Sequence, residues 1–159
     1  MSHLPTIEEL LQQERDYRFN NINFDFNAAW TIGSAIHQKA FEAKAPVAIE
    51  VYAFGQTLFL SALEGSAADN LEWMKRKRNT VLRLGHSSLY AGLNYEQSGQ
   101  RMDQQAFINQ AEFCDHGGSF PLLTQSGAVF GAVSVSGLPS QDDHALVIHG
   151  ITTYLNSQK

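Results

Sequence analysis

The chain has 159 residues, and its 43% apolar and 17% charged content is typical of one folded domain, which excludes a disordered chain. Its net charge of −5 argues against nucleic acid as the main partner, and the lone Cys114 excludes an intrachain disulfide. Residues 1–20 do not resemble a signal peptide, and the apolar run 46–54 is too short to cross a bilayer, so we expect a cytoplasmic protein without a membrane partner.

The N-terminal segment predicts a helix. Thr6 and Glu9 form a capping-box pattern, and the apolar spacing that follows places the helix over residues 6–18. We assign residues 1–159 to a single domain, with residues 1–20 as a peripheral extension.

A second helix and a hairpin follow. Apolar residues recur at helical spacing over residues 27–43 and predict a buried helix. Before it, residues 20–26 alternate weakly, as a short edge strand or an extended connector would. Alternation over residues 46–63 predicts an antiparallel hairpin, with Gly55-Gln56 as a two-residue type II′ turn.

The middle of the chain predicts further helix. Ser66 and Asp69 form a helix-start pattern, and Gly85 predicts the end of this third helix near Leu84. Residues 86–97 predict one or two more helical turns.

The last third predicts two paired strands and a helix. Residues 120–124 and 128–136 alternate, with valines and serines of the second strand on opposite faces. Ser140 and Asp143 then repeat the helix-start pattern. The order of helices, hairpin, helices, hairpin and helix predicts an α+β fold, in which helices flank an antiparallel sheet. It excludes the alternating pattern of a dinucleotide-binding fold.

One group of adjacent residues contains a nucleophile, an acid and a base, namely Cys114, Asp115 and His116. Neighbours in sequence do not usually form the ordered relay of a catalytic triad, which depends on spatial geometry. A turn that enters Gly117-Gly118 explains the triplet more simply, and we favour that interpretation.

Basic residues concentrate at 75–78, which suggests an anion site. Four consecutive helical residues fan around the helix, so the ordinary interpretation is a solvated surface. Arg83 and His86, together with free backbone amides at Gly117-Gly118, keep an anion site open as the alternative.

Two features near the terminal helix predict a polar site. Ser134 and Ser136 place two hydroxyls on one strand face just before Gly137, which favours a polar ligand or a subunit contact. His144 lies in the first helical turn, where the dipole favours a neutral ring that can bind a metal or act as a base. A hydrogen-bonded structural histidine is the alternative.

Several motifs together resemble the GlcG/HbpS family, often labelled a haem-degrading domain. The segments with matching order and spacing are 117–122, 131–137 and 141–144. Upstream, residues 77–81 resemble the Lys-Ala-x-Thr-Ala helix of the family. Further residues look closer to the family's uncharacterised cytosolic branch: Gly65, Asn70, Trp73, Arg76-Lys77 and residues 86–88. The resemblance covers roughly residues 46–155.

The resemblance implies a five-stranded antiparallel sheet flanked by helices, profilin-like in outline, and assembly into homo-oligomers. It also implies a site for haem, another tetrapyrrole or iron.

Our leading hypothesis is an oligomeric small-molecule-binding protein. Lys77 and Arg83 would bind the anionic part of the ligand, Ser136-Gly137 would form a wall, and His144 would bind a metal or haem iron. The full predicted ligand site is Asn70, Trp73, Arg76, Lys77, Arg83, His86, Gly117, Gly118, Ser136, Gly137 and Asp143. A non-catalytic assembly or adaptor module and an unannotated enzyme are the alternatives.

Overall fold

In a computed structural model, which describes residues 3–20 and 24–159, helices lie on both faces of one sheet. The helices are α1 Ile7–Asp16, α2 Phe26–Glu42, α3 Ala68–Leu84, α4 Ser88–Gln97 and α5 Ser140–Ser157, with a short 3-10 turn at Met102–Gln104. The strands are β1 Arg18–Phe19, β2 Ala48–Ala53, β3 Gln56–Ala62, β4 Ser119–Thr124 and β5 Val129–Ser136. The predicted α+β class with a five-stranded sheet is confirmed.

The sheet is mixed, so the prediction of a purely antiparallel sheet is wrong. The strand order is β1-β4-β5-β2-β3, and β1 runs parallel to β4 with Arg18 opposite Leu123. A tight turn forces antiparallel pairing, but most of the chain separates β1 from β4, so no local signal fixes their direction. The edge strand also precedes the predicted segment 20–26, of which residues 21–23 lie outside the described part of the chain.

The β2–β3 hairpin forms as predicted, but its turn lies one residue earlier. Ala53 pairs with Gln56, which leaves Phe54 and Gly55 as the two loop residues. Their φ angles are +56° and +79°. Positive φ at both positions defines a type I′ turn rather than type II′, and it matches the twist of the flanking strands.

The helix starts differ in how accurately the sequence predicts them. Thr6 caps α1 through the predicted capping box with Glu9. The start of α3 lies at Ala67, whose backbone N–H donates to the Asn70 side chain, while the Ser66 hydroxyl donates to the Leu63 carbonyl. The Ser66 cap is therefore wrong by one residue.

The predicted capping box of the terminal helix is also wrong. Pro139 occupies the N-cap position of α5, and Ser140 is already helical. The Asp143 carboxylate instead accepts backbone N–H bonds from Gly137 and Leu138 in the preceding loop. An acidic side chain in the first turn thus stabilises the loop rather than the helix end.

The sheet separates two layers of helices. Valines of β5 pack into the core with α2 and α5, which bury side chains such as Ile32, Ile36 and Ile151. The alternate residues Ser134 and Ser136 point to the other face, where α3 crosses β4 and β5. No helix in residues 3–20 and 24–159 is long and apolar enough to span a membrane.

Candidate functional site

A buried ion pair joins α3 to the start of α5. Lys77 Nζ donates to Asp143 Oδ2 and to the Val135 carbonyl oxygen, both at 3.1 Å. The side chains of Lys77 and Asp143 are 4% and 1% exposed. Burial raises the pKa of Asp143 to about 6, although the Lys77 charge opposes this rise. The anion that Lys77 binds is therefore a carboxylate of its own chain.

The backbone packs closely around this pair. A Cβ at Gly118, whose φ is +129°, would lie 2.7 Å from Lys77 Nζ and 2.4 Å from the Val135 oxygen. The Gly137 N–H donates to Asp143. The predicted site residues Lys77, Gly118, Gly137 and Asp143 therefore meet in one place, where they form a packed junction.

Asn70 and Ser136 make a second contact between α3 and the sheet. Asn70 Nδ2 donates to Ser136 Oγ at 3.4 Å, and Ser136 is 3% exposed. These predicted site residues thus contact each other within the chain.

A separate open cavity of about 730 Å³ lies next to this junction. Its wall includes Trp73 and Arg76 of α3, residues of α4 such as Tyr95, and residues 100–103, 110 and 113–117. Trp73, Arg76 and Gly117 are the predicted site residues that line this cavity.

The most distinctive part of the cavity wall is a cluster of three flat side chains. The guanidinium carbon of Arg76 lies 4.1 Å from the centroid of the Trp73 ring, and the His116 ring centroid lies 4.9 Å from it. Trp73 Nε1 donates to Asp69, which fixes the indole. The Arg76 guanidinium makes one long hydrogen bond within the described residues, to the Glu72 carbonyl at 3.5 Å. The cluster offers a cation and two aromatic faces to a ligand.

The Cys114-Asp115-His116 triplet lies on this wall, but its geometry is not that of a triad. Across the described residues, no hydrogen bond is recorded among the three side chains. The Thr80 hydroxyl donates to the Cys114 carbonyl and accepts from the Cys114 N–H, which anchors the segment to α3. Burial raises the pKa of the Cys114 thiol, which disfavours the nucleophilic thiolate. The triplet lies in irregular backbone that leads to a bend at Gly117, so the three residues do not form a catalytic relay.

Arg83 and His86 are engaged elsewhere. Arg83 donates to the Phe107 carbonyl at 3.1 Å, and its guanidinium carbon lies 5.1 Å from the Phe113 ring centroid. His86 Nδ1 lies 2.7 Å from Glu14 Oε1, and this hydrogen bond raises the pKa of His86. Neither residue lines the cavity.

His144 is enclosed in the protein interior. It is 2% exposed, its Nε2 lies 2.8 Å from Gln13 Oε1, and its buried Nδ1 has no hydrogen-bond partner among residues 3–20 and 24–159. Burial lowers the pKa of His144 to about 4, so the ring is neutral near pH 7. It is not part of the cavity wall, and the described residues contain no group of three potential metal ligands.

Sequence reasoning missed most of this cavity. Tyr95 lies in the predicted helical segment 86–97 but was not assigned to the site, and Arg101 and Met102 lie in residues 98–110, which show no helical or strand period. His116 was considered in the triplet and as a possible metal ligand, but it was not included in the predicted ligand site. The composition could have indicated this wall, because aromatic, cationic and sulfur-containing side chains recur between Tyr90 and His116.

Comparison with known proteins supports this architecture. The family model described as haem-degrading protein HbpS-like matches residues 24–152. The chain belongs to the HbpS-like family. This confirms the family resemblance inferred from the glycine-rich strands and the start of the terminal helix.

Relatives match this HbpS-like chain over most of its length. A UPF0303 protein of Psychromonas ingrahamii is 42% identical, and the match covers 96% of this chain and 94% of the relative. A UPF0303 protein of Streptomyces coelicolor is 40% identical, with 95% of this chain and 94% of the relative covered.

Solved structures share the fold. The Ybr137w protein superposes with a TM-score of 0.86 and 28% identity, covering 98% of this chain and 91% of its own. A PduOC:haem complex has a TM-score of 0.69 and 18% identity, covering 81% and 93% of the two chains, and this likeness concerns the fold alone.

We predict that Asp143→Asn destabilises the protein by about 3 to 5 kcal/mol, because the Lys77 ammonium would remain buried without its counter-charge. Urea unfolding at pH 7 measures this loss. Lys77→Met should cost less, since an unpaired Asp143 can neutralise itself by binding a proton.

Asp103→Asn provides the matched control, because Asp103 pairs with Arg101 at the exposed surface. Its unfolding midpoint should change little. A loss of less than about 1 kcal/mol in Asp143→Asn would contradict the structural importance of the buried pair.

We also predict that His144 makes the protein sensitive to acid. Its folded pKa of about 4 lies below the usual 6.5, so the unfolded chain binds a proton first and stability falls as pH drops through this window. The full effect is about 3 kcal/mol. Asp143 has the opposite effect: because its pKa is raised in the folded protein, it makes the unfolding free energy rise as the pH falls.

The measurement compares unfolding free energies of wild type and His144→Leu between pH 7 and 4. The difference between the two proteins should shift in favour of the variant as pH falls. Gln13→Met loses the same hydrogen bond but keeps the imidazole, so it should keep the wild-type slope. A pH-independent difference between wild type and His144→Leu would exclude this role.

Proposed function

We propose that this protein binds a small planar ligand with carboxylate groups in the cavity beside α3, and that haem or another tetrapyrrole is the ligand class. The observation that carries this proposal is the Trp73, Arg76 and His116 cluster on the cavity wall. The indole provides an aromatic surface, the imidazole provides a nitrogen that can bind a metal, and a guanidinium binds a carboxylate through paired N–H donors.

The size of the cavity fits such a ligand. Its volume of about 730 Å³ lies within the range of about 300 to 1,000 Å³ typical of small-molecule sites. The wall combines aromatic surface with polar groups, as ligand sites do. Arg101 adds a second cation, although it already pairs with Asp103. Among the described residues, the Arg76 guanidinium contacts the Trp73 ring and makes one long hydrogen bond to the Glu72 carbonyl, so it pairs with no carboxylate there.

The residues present also fit haem iron. His116 is exposed at the cavity, and imidazole is a common axial ligand of haem iron. Met102 and Cys114 offer sulfur atoms in the same wall. Bound haem would supply iron-centred ligand binding or redox chemistry. The protein would orient the macrocycle against Trp73 and bind its propionates through Arg76.

The buried junction has a positioning role in this proposal. Gly117 lines the cavity, and the adjacent Gly118 packs on the Lys77–Asp143 pair. The pair therefore fixes the backbone that carries His116. A metal-binding role for His144 stays a prediction, and its burial against Gln13 counts against access from the cavity.

Related proteins also support haem as the ligand class. The family is described as haem-degrading, and one structural neighbour was solved as a PduOC:haem complex. These descriptions concern the family and the neighbour, and they make haem the first ligand to test here.

We predict that haemin added to the protein shifts and sharpens its Soret band, and that His116→Ala and Arg76→Ala each weaken binding about tenfold or more, as loss of a charge-assisted contact would. His37→Ala and His86→Ala are matched histidine controls that lie outside the cavity wall. Absorbance titration measures all five proteins.

Iron-free protoporphyrin tests the aromatic surface of Trp73 separately from the binding of iron by His116. If it quenches tryptophan fluorescence in wild type but not in Trp73→Phe, the macrocycle binds against the indole. Failure of both haemin and protoporphyrin to bind, or equal binding to wild type and the two cavity variants, would refute the proposed site.

A further inference from the structure

Helix α1 contacts the helix α4 through a buried carboxylate. Glu14 of α1 is 5% exposed, and its Oε1 lies 2.7 Å from His86 Nδ1. Its Oε2 accepts the backbone N–H of Ser87 at 3.2 Å. Ser87 is the N-cap of α4, and α4 forms part of the cavity wall. A side chain of α1 therefore binds the first residue of a helix that lines the cavity.

The two helices share one capping box. In a complete capping box, the N-cap hydroxyl accepts from the third helical residue, whose Glu or Gln side chain accepts the N-cap N–H in return. Ser87 Oγ accepts the N–H of Tyr90, but Tyr90 has no carboxylate or amide to return the bond. Glu14 supplies this acceptor from α1, and its negative charge favours the positive end of the α4 dipole. Without α1, the start of α4 would be incompletely capped.

Helix α4 lies against the segment that carries His116. A Cβ at Gly92 would lie 2.3 Å from the Asp115 carbonyl oxygen, so the two backbones are in direct contact. A Cβ at Gly117 would lie 2.9 Å from the Leu89 side chain. Leu89, Gly92 and Gly117 all line the cavity. A displacement of α4 would therefore remove the support behind this part of the wall.

The attachment of α1 depends on few side chains. Leu10 and Glu14 are the buried residues of Ile7–Asp16, and Gln13 adds the hydrogen bond to His144. A helix of ten residues is marginal in water without packing, and elements with few buried apolar contacts open at the lowest free energies. Strand β1, which follows α1, pairs with β4. Helix α1 can therefore detach while the chain behind it stays anchored in the sheet.

We propose that α1 is a releasable strap that controls how fast a ligand enters and leaves the cavity. With α1 docked, Glu14 holds the start of α4, and α4 holds the segment that carries His116. Leu4, which precedes α1, is 49% exposed and lines the cavity itself, so it leaves the wall when α1 detaches. The family model begins at residue 24, so the strap lies outside the matched part of the chain. The inference rests on the proposed function only in taking this cavity as the ligand site.

The reaction of Cys114 with dithionitrobenzoate measures opening of the ligand-free protein. Cys114 is the one cysteine of the chain, lines the cavity and is 8% exposed. Glu14→Ala should react about tenfold faster than wild type, because a hydrogen bond to a charged group contributes about that factor. Glu8→Ala is the matched control, since Glu8 is an exposed glutamate of the same helix, and it should react at the wild-type rate.

Glu14→Gln provides a second variant that keeps the side-chain shape and one accepting oxygen. It should react at an intermediate rate, and it decides the proposal if circular dichroism shows that Glu14→Ala does not fold. A wild-type rate in the folded Glu14 variants, or an equal rise in Glu8→Ala, would overturn the proposal.

Amide hydrogen exchange distinguishes release of the strap from loosening of the whole protein. In Glu14→Ala, exchange should rise together in α1 and in the first turns of α4, while β5 keeps its wild-type protection. Faster exchange in α1 alone would overturn the proposal, because α4 would then not depend on the strap. An equal rise in β5 would also contradict it.

Haemin provides the readout with a ligand. Its transfer from Glu14→Ala to apomyoglobin should be faster than from wild type, and its association should be faster too. The equilibrium affinity should change little, because a change that acts equally on the free and the bound protein shifts no binding equilibrium. A wild-type dissociation rate in a variant that binds haemin would overturn the strap. The labelling and exchange measurements need no ligand, so a failure of haemin to bind refutes the ligand class and leaves them decisive for the strap.

Discussion

The buried ion pair between Lys77 and Asp143 joins α3 to α5, and a second bond from Lys77 ties that residue to strand β5. A buried charge pair is stable only when its remaining donors and acceptors are also bonded. Here the Val135 carbonyl and the backbone N–H groups of Gly137 and Leu138 complete it. These bonds fix α3, β5 and α5 relative to each other. They also explain why a glycine occupies position 118, where the backbone lies within contact distance of the Lys77 ammonium.

The fold was predictable wherever the signal was local. Helical periodicity, the Thr6 capping box and the turn glycines placed most elements within a few residues. Two kinds of feature were not predictable. The direction of β1 depends on a partner about 100 residues away, and the caps of α3 and α5 depend on side chains that could bond to several backbone groups. Asn70 accepts from the Ala67 N–H at the start of its own helix, and Asp143 accepts from the N–H groups of Gly137 and Leu138, although both side chains could have bonded to other nearby backbone groups.

The candidate site was predictable on one side only. Trp73, Arg76 and Gly117 lie in regular structure or motifs and were found, but the opposite wall comes from a segment without period. Basic character alone was misleading, because Lys77 binds an internal carboxylate and Arg83 a loop carbonyl. A charged side chain in a sequence does not reveal whether its partner will be a ligand or the chain itself.

The sheet separates the cavity from the helix layer formed by α2 and α5. The cavity lies on the face that α3 covers, while side chains such as Val51 face the α2 side. Any effect of a bound ligand on α2 would have to pass through strand β2, where Val51 faces the α2 side and Glu50 pairs with Arg78 of α3. Because alternate residues of one strand contact opposite layers, a shift of α3 on ligand binding would reach α2 only by moving the strand itself. Three antiparallel pairings join β4, β5, β2 and β3 and resist such movement, so we expect ligand binding to leave the α2 layer in place.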